Sequence, residues 1–550
     1  MKNIYSFTLM SFIGISAAFS QCAEVPTNRV LLVGDSWASF MNADQTITDG
    51  LRNMGHSDKR FASSVVIAEN GAQTDDFLTQ TKQDAIQQLI DANPDIDIVH
   101  LSIGGNDVMG DWNVSWSQEM TDSLEGEVAG RLEEVIEFLK STRPGMRVFW
   151  AGYTYPNFGE VIEDIAPAQT VHPFYSTWND MGQPTFIQIN TILNEFSDSV
   201  AAYADDDPLV DFVPAQGILQ YAYGQEIPLG IAPGGTYAQF SAPLPLGYPD
   251  YPSPMETMRL YAGIFTDCFH LSADAYLTMW MYQAQKFYQK YFMDDFYLLS
   301  EGGSKDGSVT STGTVSSTLQ IGETGGNAVA TVLSFNTTQM ADTTLAAANI
   351  FLRRESLTGT NPLQGTDVQV KVVSGSFGAT ANVEAEDFMD NGDQMDIPCK
   401  HGSFAQDGHW VRLDLTPEIL AVINNGSRTQ FELSIPGFTG GLMTFNDASD
   451  PELAPVLNMV YGPTPNPESV NELVYGKELP VYPVPTDGPL TIASGTATVL
   501  SVEVMNVLGS VVLQPAVNDK NIDISNLPNG PYVLRITTNE GTSTKQIIKH

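Results

Sequence analysis

The sequence predicts an α/β domain built on a parallel sheet, followed by two smaller all-β regions. Three observations carry that expectation. Up to about residue 300, short apolar runs alternate with helical patterns. Beyond it, short β-rich runs follow one another with no comparable helical series. Stretches rich in Gly, Ser and Thr (300–313) or in Pro (462–469) separate the blocks as linkers by composition.

The elements follow in order. Residues 1–20, MKNIYSFTLMSFIGISAAFS, combine an early Lys, a short apolar stretch and small residues, the pattern of a cleaved secretory signal. Strands are expected at RVLLVG (29–34), SSVVIAEN (63–70), IDIVHLSIGG (96–105), MRVFWAG (146–152) and LVDFVP (209–214). Continuous apolar runs of this kind suit a parallel sheet covered on both faces. Between the third and fourth, Val128, Leu132, Val135, Ile136 and Leu139 recur at helical spacing, and Pro144-Gly145 ends the helix. A last helix runs from Ser272 to about Phe292. The expected domains are therefore 25–300, 315–461 and 481–550.

Composition narrows the function. A chain of 550 residues with 42% hydrophobic content has material for several packed cores. Its formal net charge of −40 argues against nucleic acid or an anionic membrane as partner, since phosphate surfaces need clustered Lys and Arg. No run beyond the leader is long and apolar enough for a transmembrane helix, so export would leave the protein secreted or held at the cell surface. Cys22, Cys268 and Cys399 allow one disulfide and one odd thiol, or three free thiols. Cys399, His401 and His409 fit no standard zinc spacing, and DNGDQMD (390–396) lacks the ligand order of an EF-hand. No metal or other cofactor is expected.

The chemistry is carried by spaced segments. RVLLVG ends in Gly34-Asp35-Ser36-Trp37, a small turn residue, an acid and a hydroxyl where a buried strand stops. A nucleophilic serine needs a base, a group to orient the base, and donors for an oxyanion. Asp267 and His270 stand three residues apart in FTDCFH, close enough for one loop to carry both. Gly71 follows the second strand, and Gly104-Gly105-Asn106-Asp107 follows the third. The set, in this order over about residues 28–290, closely resembles the SGNH, or GDSL-type, hydrolase superfamily. That resemblance implies a flavodoxin-like three-layer α/β/α fold and ester hydrolysis through an acyl-serine. It makes Ser36 the nucleophile, His270 the base and Asp267 its orienting acid. The backbone N–H groups of Ser36 and Gly71 and the side-chain amide of Asn106 would form the oxyanion hole. Asp35 reads as a turn-stabilising acid, Asp107 as a cap on its own turn, and Cys268 as a small packing residue. Trp37 replaces the usual Leu after the serine. With Trp112 it is a candidate substrate-binding residue, or it packs beneath the site.

A long aromatic and Pro-rich region, including HPFYSTW and LQYAYGQ, separates the fourth strand from His270 and reads equally as substrate wall or as packing. Residues 315–461 are similar to the DNRLRE-type β-sandwiches of secreted proteins, which implies an accessory domain, carbohydrate-binding or a spacer. VYPVPTDGPLTI, VEVMNVLGS, ISNLPNGPYVLRI and the terminal KQIIKH resemble the C-terminal sorting domain of the type IX secretion system in Bacteroidetes, with Val484 in place of a common Asn. The partners implied are an ester substrate, free or polysaccharide-linked, and the type IX machinery. The ester class stays open among carbohydrate deacetylase, lipase and general carboxylesterase. The rival reading is a catalytically silent carbohydrate-binding adhesin that keeps the fold. Because all proposed catalytic groups precede residue 300, a fragment ending there is expected to turn over small esters.

Overall fold

The structure is a computed structural model. It describes residues 26–462 and 481–550, apart from 164, 227–228, 230, 262, 294–295, 341–343, 389–394, 398, 403–404, 424–425, 485, 494–497, 507–510, 518–519 and 539–540. The expected signal peptide and the linker at 463–469 lie outside the described residues. Two compact units divide at Pro463/Thr464.

The first unit begins with five parallel strands. These are β1 (Thr27–Gly34), β2 (Lys59–Ala62), β3 (Ile98–Ser102), β4 (Arg147–Trp150) and β5 (Val210–Phe212). Their order is β2-β1-β3-β4-β5, so the chain direction across the sheet reverses between β1 and β3. Alternating side chains split the core in two. Leu31 and Val33 pack with α3 (Gln80–Ala92), α5 (Gln118–Ser141) and α7 (Phe186–Asp206), whereas Val30 and Leu32 pack with α1 (Ser36–Ala43), α2 (Thr46–Asn53) and α9 (Ala273–Lys286). Helices thus cover both faces. The shorter helices are α4 (Gly105–Asp111), α6 (Tyr175–Asp180) and α8 (Ile218–Tyr223), and a hairpin of β6 (Met258–Tyr261) and β7 (Phe265–Leu271) precedes α9.

One expected strand is displaced. The second strand ends at Ala62, and residues 63–70 turn, meeting the sheet again where Ser63 Oγ donates to the Leu32 carbonyl at 2.8 Å and at an isolated Gly34–Ala68 bridge. Ile67 is buried but Val65 is exposed, so this apolar run is not a buried strand.

The expected linker at 300–313 is also structured. β8 (Phe296–Leu299) pairs with strand 456–461, and β9 (Gly307–Thr310) pairs with strand 327–335. Both belong to a 13-stranded β region in which the long strand Leu345–Gly359 pairs with strands on both halves, with a register shift at Arg354–Ser356. The two halves share one core that includes Ile350, Leu413, Phe431 and Phe445.

This region is docked on the α/β domain. Phe351, Trp410 and Val456 belong to the same apolar cluster as Leu51, Met54 and Trp280. Polar ties surround it: Trp410 Nε1 donates to Gln285 Oε1 at 2.9 Å, and Arg412 Nη1 to Asp58 Oδ1 at 2.7 Å. Cys399, His401 and Asp414 converge there, but Cys399 is disulfide-bonded and the Arg412 guanidinium contacts both His401 and Asp414. That leaves no thiolate for a metal. His409, grouped with Cys399 and His401 in the sequence, accepts the Gln406 N–H instead. Among the described residues the free thiol is Cys268, buried in the α/β core, and Cys22 lies outside them. The second unit consists of a three-stranded and a four-stranded antiparallel sheet around Leu490, Val504, Leu534 and Ile536.

Candidate active site

The site forms at the carboxyl edge of the sheet, where β1 and β3 part. β1 ends at Gly34 because its backbone lies against β3, and a Cβ there would fall 1.9 Å from the Ser102 carbonyl oxygen. Asp35 then caps α1, its Oδ1 accepting the Trp37 N–H at 2.9 Å. Ser36 is the first residue of that helix, where an N–H has no intrahelical partner.

β7 brings Asp267 and His270 beneath Ser36. Asp267 Oδ1 accepts the N–H groups of Phe269 and His270 at 2.8 and 3.0 Å, which bends the strand enough for the i, i+3 pair to meet. Its Oδ2 lies 2.9 Å from His270 Nδ1, and His270 Nε2 lies 2.7 Å from Ser36 Oγ. With the carboxylate accepting from Nδ1–H, the Nε2 lone pair faces the serine hydroxyl. Asp267 is buried and the imidazole is nearly so. Cys268 points into the core, and burial pushes its thiol well above the usual range, away from nucleophilic character.

Gly71 and Asn106 line the same cavity, of about 510 Å³, with Ser36 and His270. Gly71 sits at φ +80°, a left-handed turn that suits glycine. Asn106 spends one amide hydrogen on the Ala72 carbonyl at 2.9 Å, leaving a second on the same nitrogen. The walls include Phe40, Met109, Phe174, Tyr261 and Phe269. Phe40 and Phe174 stand 4.8 and 6.2 Å from the His270 ring, and the Arg259 guanidinium covers the Phe40 ring at 4.2 Å. Phe174 and Thr177 come from the HPFYSTW segment, so this part of the insertion is wall. Tyr153 and Tyr155, by contrast, are buried.

Both tryptophans offered as substrate-binding residues are core instead. Trp37 is 4% exposed and packs edge-on against Tyr153 and Tyr276. As the second residue of α1 it turns inward while Ser36 faces the cavity. Trp112 is 6% exposed, its Nε1 donating to Thr121. Asp107 also differs from expectation. Its carboxylate reaches the other turn, accepting Thr74 Oγ1 at 2.5 Å, the Thr74 N–H at 3.1 Å and Arg131 Nη2 at 3.1 Å.

Sequence reading missed Tyr153, whose hydroxyl donates to Asp35 Oδ2 at 2.6 Å and accepts the Gly105 N–H at 3.1 Å. It ties the two turns that carry Ser36 and Asn106. Burial dominates the electrostatics here. It raises the Asp35 carboxyl to about 6 against the opposing hydrogen bonds from Tyr153 and Trp37, and it holds the Tyr153 hydroxyl protonated.

Residues 15–282 match the family model described as GDSL-like lipase/acylhydrolase, and residues 480–550 match the secretion system C-terminal sorting domain. No curated protein matches the chain significantly. Among solved structures, the chain is similar to a GDSL-like lipase from Bacteroides thetaiotaomicron, at 13% identity over 48% of this chain and 89% of that one, with a TM-score of 0.27. It is also similar to a carbohydrate esterase family 3 protein from Talaromyces cellulolyticus, at 12% identity over 48% of this chain and 98% of that one, with a TM-score of 0.26. Among the described residues no helix is long and apolar enough to cross a membrane. The chain thus carries a GDSL-like lipase/acylhydrolase domain in its N-terminal half and a type IX sorting domain at its end.

Proposed function

We propose that this protein is an exported serine esterase in which Ser36 is the nucleophile, His270 the general base and Asp267 the group that orients it. The observation that carries this reading is the unbroken hydrogen-bonded chain from Ser36 Oγ through the imidazole to the buried Asp267 carboxylate, on the floor of an open cavity. Ser36 attacks the ester carbonyl as His270 Nε2 takes its proton. The carbonyl oxygen, negative in the tetrahedral intermediate, is met by the N–H groups of Ser36 and Gly71 and the Asn106 amide. His270 then gives its proton to the departing alcohol, leaving an acyl-serine. Water, deprotonated by the same imidazole, releases the acid and restores the serine.

The aromatic walls suit either a sugar face or an acyl chain. We read the substrate as a carbohydrate ester or a lipid-type ester, with the β region (315–461), of DNRLRE type, as an accessory module for a polysaccharide surface. The sorting domain fits delivery by the type IX machinery to the medium or the cell surface. The test uses the purified full chain on nitrophenyl esters of increasing acyl length beside an acetylated polysaccharide, with Ser36→Ala as control. Hydrolysis lost in a folded Ser36→Ala variant is the expected result. Retained hydrolysis removes Ser36 from the mechanism.

A further inference from the structure

The groups proposed to stabilise the oxyanion stand on two separate turns, 70–74 after β2 and 104–107 after β3, and no backbone ladder joins them. Side chains do. Asn106 Nδ2 donates to the Ala72 carbonyl at 2.9 Å, and Gln73 Nε2 to the Asn106 carbonyl at 3.3 Å. Beneath these lies a stronger junction. Asp107 and Thr74 are both fully buried, and the Thr74 N–H and hydroxyl both donate to the Asp107 carboxylate. Arg131, on α5, completes it: Nη2 donates to Asp107 Oδ1 at 3.1 Å and Nε to Thr74 Oγ1 at 2.9 Å.

We propose that Arg131 is a positioning residue for ester hydrolysis, clamping Thr74 to Asp107 so that the Gly71 N–H and the Asn106 amide converge on one point. This rests on the esterase reading. Two physical demands make the guanidinium the part that matters. Burial disfavours a charged carboxylate unless hydrogen bonds and a cation compensate, and the ionised form offers acceptor capacity on both oxygens to the Thr74 and Arg131 donors. Burial already pushes the Asp107 carboxyl upward, opposed by the two Thr74 hydrogen bonds and then by the Arg131 charge. The carboxylate charge sits one residue from Asn106, where it would repel a developing oxyanion, and Arg131 neutralises it. Asp35 and Tyr153 also feel the Asp107 charge. Neither supplies a positive charge. The Nε/Nη2 pair also bridges two different acceptors, which a lysine ammonium on a flexible stem reproduces only in part.

The test compares Arg131→Met, Arg131→Lys and Thr74→Val in the full chain, measuring kcat and KM per folded molecule and kcat against pH. Arg131→Met should lose about 10- to 100-fold in kcat with KM within about twofold, because a donor is misplaced where charge exists mainly in the transition state. Arg131→Lys should recover part of that loss. The acid limb of the Arg131→Met profile should move to higher pH, since removing the cation pushes the Asp107 carboxyl further upward. Simple loss of a structural staple would lower the folded fraction and leave both kcat per folded molecule and the limb in place. That outcome overturns the role, as does normal kcat in the variants. If Arg131→Met fails to fold, Thr74→Val decides, with lost or normal kcat read in the same way. An inactive wild type overturns the esterase reading and this role together, whereas an active wild type with an unimpaired Arg131→Met overturns this role alone.

Discussion

Tyr153→Phe removes a single oxygen from the junction between the Ser36 and Asn106 turns, and its cost should depend on pH. In the wild type, burial raises the Asp35 carboxyl from 3.8 to about 6. A raised carboxyl stabilises the fold fully below its unfolded value, and that contribution is lost as pH rises through the folded value. The shift corresponds to about 3 kcal/mol lost between acid pH and pH 8. The Tyr153 hydroxyl limits that loss, because it is the larger of the two hydrogen bonds that favour the ionised carboxylate. Without it the carboxyl rises further, and the loss at pH 8 grows by about 1.5–3 kcal/mol, the worth of a hydrogen bond to a charged group. At pH 5 Asp35 is neutral in both proteins, and the main penalty is the unpaired Gly105 N–H, about 1 kcal/mol. Urea denaturation of wild type and variant at pH 5 and pH 8 measures this directly. Destabilisation should be about 1 kcal/mol at pH 5 and about 3 kcal/mol at pH 8. Equal destabilisation at both pH values would refute the coupling between Tyr153 and a buried, titrating Asp35.

Two further outcomes are expected. Asn106→Ala should lower kcat by about 10²–10³-fold with little change in KM, measured per folded molecule; normal turnover with reduced thermal stability would assign Asn106 to turn architecture alone. A fragment ending at residue 300 should be poorly soluble and weakly active, contrary to the expectation from sequence, because it strips Phe351, Trp410 and Val456 from the cluster around Leu51, Met54 and Trp280. Soluble yield and specific activity beside the full chain check this, and a well-folded active fragment would show the docking to be dispensable.

The site was legible where chemistry imposes spacing. A serine at a strand end and two glycine turns after the following strands must lie at one sheet edge once the strands are parallel, and the Asp/His pair three apart arrives there on a separate antiparallel hairpin. What the sequence hid is contact across segments. Asp107 looks like a local cap because its neighbours in the chain are turn residues, yet its acceptors serve Thr74 and Arg131, 33 and 24 residues away. Tyr153 was one aromatic among many in an insertion, and nothing in its spacing marks a link to Asp35. Trp37 and Trp112 illustrate the limit of residue type: a bulky ring beside a nucleophile faces either cavity or core, and the helical direction of α1 decides for core. The stretch at 300–313 has linker composition, but Ser308 and Val309 are buried where β9 joins the sheet. Composition reports flexibility in isolation and not what a neighbouring edge strand imposes.

The most direct test of the central assignment is covalent labelling of the nucleophile. The full chain treated with a fluorophosphonate should gain a single adduct by intact mass, mapped by peptide sequencing to Ser36. Labelling should be absent in Ser36→Ala, and in His270→Ala it should slow by at least about 10²-fold, the lower end of what general-base assistance contributes. Ester hydrolysis that persists with Ser36 unlabelled, or an adduct on any other residue that abolishes activity, would contradict the assignment.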